Sequence, residues 1–258
     1  MNPWNDSFFI FALGCCLGSF LNVCIYRLPQ DLSIVSPRSF CPQCRTPVRG
    51  YDNIPLLSYL LLRGKCRSCG TRISWRYPLV EALTGGLAMA LFLKYGLTAS
   101  FFAFFAFAAA LVVITFIDLD HRIIPDVISL PGIGMGFLLS FFLPAAAWTD
   151  SLIGLLAGGG SLYLVAVAYE ALTKREGMGG GDVKLLAMMG AWLGWKAVLF
   201  TLFLASLSGT LIGGGAMLLQ KQGRHYAIPF GPFLAFGALA YLFFGPQLID
   251  WYLSLGRS

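Results

Sequence analysis

The sequence carries little charge for its length. Only 12% of its 258 residues are Asp, Glu, Lys or Arg, whereas 57% are hydrophobic. A soluble domain of this size carries about twice that charged fraction. The apolar residues come in blocks of about 20, which is long enough to cross a bilayer. The composition therefore excludes an ordinary soluble enzyme and predicts an all-α polytopic membrane protein.

Histidine is also scarce, and familiar nucleotide motifs are missing. The two histidines, His121 and His225, lie outside any H-E-x-x-H pattern, which disfavours a zinc metalloprotease of that type. No histidine lies in a predicted span, so Ser208 has no base for an intramembrane serine protease. The chain has no G-x-G-x-x-G following a strand, the pattern that marks a Rossmann nucleotide site.

Eight transmembrane helices are predicted from the apolar blocks. Their approximate ranges are 8–26, 79–93, 101–117, 127–148, 151–172, 183–194, 195–219 and 227–245. The block at 183–194 is short for a full span and is expected to be tilted or half-inserted. With both termini outside, the inner loops hold 15 of the 18 Lys and Arg residues. This bias matches the preference of cytoplasmic loops for positive charge, so the net charge of +6 does not indicate a nucleic-acid partner.

The glycines of the apolar blocks predict close helix packing. Gly14 and Gly18 form a small-xxx-small pair in the first block, a pattern that allows two helix backbones to approach each other. The run at 158–160 is interpreted as a packing notch, because no strand precedes it as in a phosphate-binding loop.

Four of the seven cysteines lie in a basic loop at residues 30–78, as two Cys-x-x-Cys pairs separated by 21 residues. Paired knuckles of this kind place four thiolates around one tetrahedral ion, most often zinc. Four thiolates leave no open coordination position, which predicts a structural role for the metal. Free thiols and two redox pairs are the alternatives. The ligands are Cys41, Cys44, Cys66 and Cys69.

Two aspartates lie at the inner ends of predicted spans, where ionisable residues are costly and suggest a functional site. Asp118 ends the third span, and Asp182 follows three consecutive glycines, 64 positions later. Two carboxylates brought together can share a proton and activate water, as in aspartic proteases. The alternative for Asp182 is a plain helix cap. Asp120 is interpreted most simply as part of a solvated loop and Asp126 as a cap, with a divalent metal as the alternative.

The position of Asp182 also leads to a hypothesis about the two roles. A residue that begins a helix faces unpaired N–H groups and the positive end of the helix dipole, which lower the pKa of a carboxyl group. We therefore expect Asp182 to be ionised and to act as the base, with Asp118 as the acid.

At this point the chain resembles the bacterial type IV prepilin peptidases over nearly its whole length. Six segments occur in the order typical of that family, and they include the G-x-G-D motif shared with presenilin-type proteases. These segments are Gly18-Ser-Phe-Leu-Asn-Val23 with Ile25-Tyr-Arg-Leu-Pro29, the two Cys-x-x-Cys pairs, Arg76-Tyr-Pro-Leu-Val-Glu81, Ile117-Asp-Leu-Asp with Ile124-Pro-Asp126, Gly179-Gly-Gly-Asp182, and Ile228-Pro-Phe-Gly-Pro-Phe233.

The resemblance implies two activities. The enzyme cuts the basic leader from type IV prepilins or pseudopilins at the cytoplasmic face. It then N-methylates the new N-terminal residue with S-adenosylmethionine. The catalytic aspartates of the family fall on Asp118 and Asp182, and Asp120, Gly179 and Gly181 are auxiliary.

The methyltransferase activity rests on the resemblance alone, chiefly on residues 14–81, with Asn22 and Glu81 as candidate residues. The expected domains are a first transmembrane helix at 1–29, a zinc-binding cytoplasmic domain at 30–78 and a membrane-embedded peptidase domain at 79–258. The expected location is the bacterial inner membrane, in contact with lipid. A peptidase without methyltransferase activity, or a non-enzymatic membrane scaffold or transporter, is the alternative.

Overall fold

The structure is a computed structural model that describes residues 3–143, 147–174, 179–220 and 229–255. His225, Ile228 and three of the inner-loop basic residues, Arg175, Lys221 and Arg224, lie outside these ranges. The described residues form α1 (Pro3–Arg27), α2 (Leu57–Leu61), α3 (Arg76–Tyr95), α4 (Ala99–His121), α5 (Asp126–Leu139), α6 (Trp148–Thr173), α7 (Gly180–Leu193), α8 (Trp195–Gln220) and α9 (Gly231–Leu255). Between these helices, β-structure within the described part is limited to isolated bridges. The all-α prediction is confirmed.

The predicted count of eight spans is wrong by length and hydropathy. Among the described residues, five segments are long and apolar enough to cross a membrane: Asp6–Gln30, Ala99–His121, Trp148–Thr173, Trp195–Gly215 and Gly231–Ile249. Helices α5 and α7 have 14 residues each. At 1.5 Å per residue they are about 21 Å long, against a hydrocarbon core of about 30 Å. Helix α3 has 20 residues, but Arg76, Glu81 and Lys94 interrupt its apolar sequence.

The chain divides into two compact units, Met1–Val113 and Ile114–Ser258, with the boundary inside α4. In the first unit α1 packs against α3 through small residues. A Cβ atom added at Gly14 would lie 2.7 Å from the Cβ of Ala88, and one at Gly18 would lie 2.7 Å from the Cα of Glu81. Both separations are far below van der Waals contact, so the predicted close approach at Gly14 and Gly18 is confirmed.

Helix α7 forms the core of the second unit, and every residue from Leu185 to Leu193 is buried. It packs against α6, where an added Cβ at Gly154 or Gly158 would collide with the α7 backbone. Gly158 therefore serves as the predicted packing notch. The hydroxyl of Ser151 donates a hydrogen bond to Ala191 O at 2.6 Å, which joins α6 to α7.

On its other side α7 packs against α5. The indole N–H of Trp192 donates to Gly132 O at 2.8 Å. Gly132 lies directly against the side chain of Met188. These contacts hold α7 between two helices, so the residues at its N-terminal end are carried by a rigid, buried element.

Candidate active site and metal centre

Asp118 lies in the last turn of α4 and is 5% exposed. It follows the buried residues Phe116 and Ile117, so the chain enters this position from an apolar environment. Its Oδ2 accepts a hydrogen bond from the backbone N–H of Gly231, the first residue of α9, at 2.9 Å. The side chain is thus a buried carboxyl group held at one oxygen by a backbone donor from a distant part of the sequence.

Asp182 is the third residue of α7, within the first turn. The N-cap is Gly179, which makes no side-chain cap hydrogen bond, and the Asp182 N–H donates to Gly179 O at 3.2 Å. Asp182 is therefore not the helix cap that the sequence allowed as an alternative. Its carboxyl group is only partly exposed and sits on the helix that α5 and α6 enclose.

The two aspartates interact electrostatically. Burial, followed by the charge of Asp118, raises the pKa of Asp182 from 3.8 to about 6. A like charge acts in this way only over a short, poorly screened distance, so the two carboxyl groups lie near each other within the second unit. The expectation of a lowered pKa at Asp182 is wrong, because desolvation and the neighbouring carboxylate outweigh the helix N-terminus.

The glycines before Asp182 are not equivalent. An added Cβ at Gly181 would lie 2.9 Å from the Cβ of Ile124, in the loop between α4 and α5. One at Gly180 would meet no atom within 4 Å, and one at Gly179 would lie 4.0 Å from a carboxylate oxygen of Asp182. The second glycine of the G-x-G-D motif therefore lets the two aspartate-bearing segments touch.

An ion pair next to the aspartates was not predicted from the sequence. Lys184 Nζ lies 2.8 Å from each carboxylate oxygen of Asp126. Asp126 is the first residue of α5 and follows the N-cap Pro125, so it is neither a cap nor a solitary loop acid. In the sequence, Lys184 follows the G-x-G-D motif and Asp126 ends the Ile124-Pro-Asp segment. Their separation of 58 residues gives no sign that they are in contact.

Asp120 and His121 are exposed at the end of α4. Together with Asp126 they do not form a metal-binding group: the one cluster of three or more His, Cys, Asp or Glu ligands in the described ranges is the set of four cysteines. The divalent-metal alternative for these acids is therefore not supported.

The two Cys-x-x-Cys segments fold as matching knuckles. In the first, Cys41 N–H donates to Thr46 O at 3.0 Å, and in the second, Cys66 N–H donates to Thr71 O at 2.8 Å. The residue after each second cysteine, Arg45 or Gly70, has a left-handed backbone, with φ of 55° and 71°. The same turn is thus built twice, which a pair of identical metal half-sites requires.

The four sulfur atoms fit a tetrahedral zinc ion. Their Sγ atoms all lie within 4.8 Å of one another, and those of Cys41 and Cys69 are 3.8 Å apart. Zn–S bonds of about 2.3 Å separate tetrahedral sulfur atoms by about 3.8 Å. Side-chain hydrogen bonds with Thr46 and Thr71 lower the pKa of Cys44 and Cys69, and the backbone N–H of Cys69 does so for Cys66, whereas the pKa of Cys41 is raised. These hydrogen bonds favour the thiolate form that binds metal.

Asn22 and Glu81 lie on the same α1–α3 interface of the first unit, and each is 8% exposed. Asn22 Nδ2 donates to Tyr77 O at 3.1 Å, and Glu81 Oε2 accepts from the N–H of Leu56 at 2.8 Å. The sequence reasoning missed Arg27, which is 6% exposed and donates to Ser33 O and Pro37 O at 2.7 and 2.6 Å. Its only signal in the sequence was its place in the segment Ile25-Tyr-Arg-Leu-Pro29.

Two family models match successive parts of the chain. Residues 12–95 match the model of the bacterial peptidase A24 N-terminal domain, and residues 104–214 match that of the type IV leader peptidase family. A protein of Aeromonas hydrophila named prepilin leader peptidase/N-methyltransferase is 39% identical, covering 98% of this chain and 95% of its own. Its namesakes from Pseudomonas aeruginosa and Myxococcus xanthus are 38% and 45% identical, covering 93% and 84% of this chain and 91% and 64% of their own. No solved structure matches.

Proposed function

Because this chain belongs to the type IV leader peptidase family, we propose that it cleaves the leader of type IV prepilins through Asp118 and Asp182. It also N-methylates the N-terminal residue that cleavage exposes. The observation that carries the peptidase assignment is the electrostatic coupling of two partly desolvated carboxyl groups in one unit. A proton shared between the two groups relieves their repulsion.

A shared proton gives the pair both catalytic functions. The ionised carboxylate takes a proton from a water molecule as the water oxygen attacks the scissile carbonyl carbon. The protonated carboxyl group donates its hydrogen bond to the carbonyl oxygen, which becomes negative. When the C–N bond breaks, the leaving amine takes a proton from the pair, which returns to one proton between two groups.

The surroundings of the pair support this chemistry. The buried length of α7 and the hydrogen bond from Gly231 hold the carboxyl groups on fixed elements, which reduces the reorganisation required during reaction. Gly181 keeps the two aspartate-bearing segments in contact. Gly179 adds no bulk beside Asp182, which leaves room for the substrate backbone. Asp120, exposed two residues after Asp118 in the last turn of α4, is an auxiliary acid at the same end of the helix.

The zinc ion has a separate role. Cys41, Cys44, Cys66 and Cys69 hold it in the loop between α1 and α3, and a four-thiolate site has no open position for substrate. The metal stabilises a segment that has few buried residues of its own. Residues 30–78 thus form a zinc-binding domain on the cytoplasmic side, between the first helix and the peptidase domain at 79–258.

S-adenosylmethionine is the methyl donor that we propose for the second activity, and it supplies an electrophilic methyl group to the new N-terminal amine. Asn22 and Glu81 both form hydrogen bonds with the protein backbone through their side chains. They therefore support methyl transfer by holding α1, α3 and the Leu56 segment in place. A Glu81→Gln variant keeps an acceptor for Leu56 N–H and is expected to methylate better than Glu81→Leu, with cleavage unchanged in both.

The chain is a multi-pass membrane protein, and we place its active sites at the cytoplasmic face of the bacterial inner membrane. Eight of the 18 Lys and Arg residues lie in the loop at 30–78, which supports a cytoplasmic position for that loop. We place the ends of α4 and α7 that carry the two aspartates on the same side, where the basic leader of a prepilin resides. Pilins and secretion pseudopilins share this leader chemistry, so both are expected substrates.

One assay tests these assignments together. Purified full-length protein in lipid is incubated with a prepilin and labelled S-adenosylmethionine, and cleavage and methyl transfer are read separately. Asp118→Asn and Asp182→Asn should each abolish cleavage, while methylation of an already cut pilin persists. Asp31→Asn is the matched control, because Asp31 is exposed, outside the site and in a left-handed conformation that Asn tolerates. Cleavage at a near-normal rate by either Asn variant would refute the aspartyl mechanism. If wild-type protein cleaves the prepilin but transfers no labelled methyl group to it, the result would favour a peptidase without methyltransferase activity.

A further inference from the structure

The N-terminal end of α9 meets the carboxyl group of Asp118. The N–H of Gly231 donates to Asp118 Oδ2 at 2.9 Å in a buried environment, across 113 residues of sequence. The first N–H groups of a helix have no partner within the helix, so a carboxylate is a natural acceptor there. This contact joins α9 to the end of α4 within the second unit.

Gly231 is required by space and not by backbone conformation. It is absent from the described glycines with a left-handed φ, which are Gly64, Gly70, Gly96 and Gly194. The three atoms nearest to an added Cβ all belong to Asp118: Oδ2 at 2.6 Å, Cγ at 3.2 Å and Cβ at 3.5 Å. Any larger residue at position 231 would therefore push the carboxyl group away, and the backbone itself would tolerate the change.

We propose that Gly231 is a positioning residue for leader cleavage. Its N–H fixes one oxygen of Asp118, and its missing side chain leaves the space in which that oxygen sits. The other oxygen is then the one that exchanges a proton with water or with Asp182. This inference rests on the proposed aspartyl mechanism, and it adds a role for the last of the six segments of the resemblance, Ile228–Phe233, of which the structure describes the residues from 229 onward.

The kinetic test compares Gly231→Ala with Gly160→Ala. An added Cβ at Gly160, inside α6, meets no atom within 4 Å, so that variant controls for the chemical change alone. Restoring a contact of 3.4 Å from 2.6 Å requires a displacement of about 0.8 Å at Asp118. A misplacement of about 1 Å can cost on the order of 10²-fold in rate. We expect kcat for cleavage to fall by about that factor with KM within about twofold, while methylation of a cut pilin is unchanged.

A double-mutant cycle separates positioning of Asp118 from support of α9. Asp118→Ala removes Oδ2 and Cγ and keeps only Cβ, which lies 3.5 Å from the added Cβ at position 231, an ordinary van der Waals distance. Gly231→Ala should therefore lower the thermal midpoint in the wild-type background and leave it unchanged in the Asp118→Ala background. If the Gly231→Ala protein does not accumulate in cells, accumulation of the Gly231→Ala/Asp118→Ala double variant would equally support the positioning role. Equal destabilisation in both backgrounds, or a wild-type kcat for Gly231→Ala, would overturn the inference.

The two proposals fail differently. If Asp118→Asn still cuts prepilin, the aspartyl mechanism is wrong whatever Gly231 does. If Asp118→Asn is inactive and Gly231→Ala is as fast as Gly160→Ala, the mechanism stands and only the positioning role is refuted.

Discussion

Lys184 lies two residues after Asp182 and holds both carboxylate oxygens of Asp126 at 2.8 Å. Asp126 begins α5 and Lys184 is the fifth residue of α7, so the pair joins the N-terminal parts of the two helices. The side chains of Asp126 and Lys184 are 54% and 39% exposed. The pair also holds the Lys charge on Asp126.

This geometry predicts a charge dependence of cleavage. Lys184→Ala or Asp126→Ala should lower kcat/KM several-fold and change stability little, because an exposed ion pair contributes about 0.2–1 kcal/mol. The exchange Asp126→Lys with Lys184→Asp should recover part of the loss. Single and double variants are compared in one cleavage assay. Additive losses with no recovery would show that the two residues act independently.

The raised pKa of Asp182 predicts how stability depends on pH. A carboxyl group whose folded pKa is about 6, against 3.8 when unfolded, binds more protons in the folded state between these values. Its contribution to stability is therefore lost as the pH rises from 3.8 through 6. Asp182→Asn removes this titration, so it should raise the thermal midpoint at pH 7 and have less effect near pH 4. The wild type and the variant are melted in lipid across that range. An Asp182→Asn protein that is less stable at pH 7 would contradict the desolvation argument.

The zinc site predicts a local effect of metal removal. Elemental analysis should give one zinc per chain. Chelation should make the peptide bonds after Lys and Arg between Cys41 and Cys69 accessible to trypsin before those elsewhere in the chain. Cys66→Ser should behave like the chelated protein, because three thiolates bind zinc more weakly than four. Cys16→Ser is the matched control, since Cys16 is exposed in α1 and outside the cluster. Wild-type protein that lacks zinc and resists trypsin equally with and without chelator would refute the structural role.

Features set by local pattern were predictable from the sequence. The Cys-x-x-Cys spacing predicted the four-sulfur cluster, and Gly14 with Gly18 predicted the tight α1–α3 contact. Gly14 and Gly18 lie one helical turn apart in the sequence, and paired Cys-x-x-Cys segments most often form one type of metal site. The span count was wrong because hydropathy does not show where a helix ends: α5 and α7 have apolar sequence but only 14 residues each.

Features that depend on tertiary contact were not predictable. The hydrogen bond from Gly231 to Asp118 and the ion pair of Asp126 with Lys184 join residues 113 and 58 positions apart. The pKa of Asp182 was predicted from the helix N-terminus alone, but the desolvation and the Asp118 charge that raise it arise only from the fold. Both aspartates were candidates from the sequence, whereas the Gly231 N–H that holds Asp118 was not found.

The last prediction concerns the two adjacent glycines that precede Asp182. Gly180→Ala should retain cleavage within about twofold, because the added methyl group meets open space and Ala suits a helix start better than Gly. Gly181→Ala should lose most cleavage, because its Cβ would lie 2.9 Å from the Cβ of Ile124 and must separate the two aspartate-bearing segments. Ile124→Gly removes that atom and should restore part of the activity of Gly181→Ala, whereas Ile124→Ala keeps it and should not. Cleavage is measured for each variant and pair, with methylation of a cut pilin reporting the folded fraction. Equal activity of the Gly180 and Gly181 variants, or rescue by Ile124→Ala as well as by Ile124→Gly, would show that the contact at Ile124 does not set the spacing of the site.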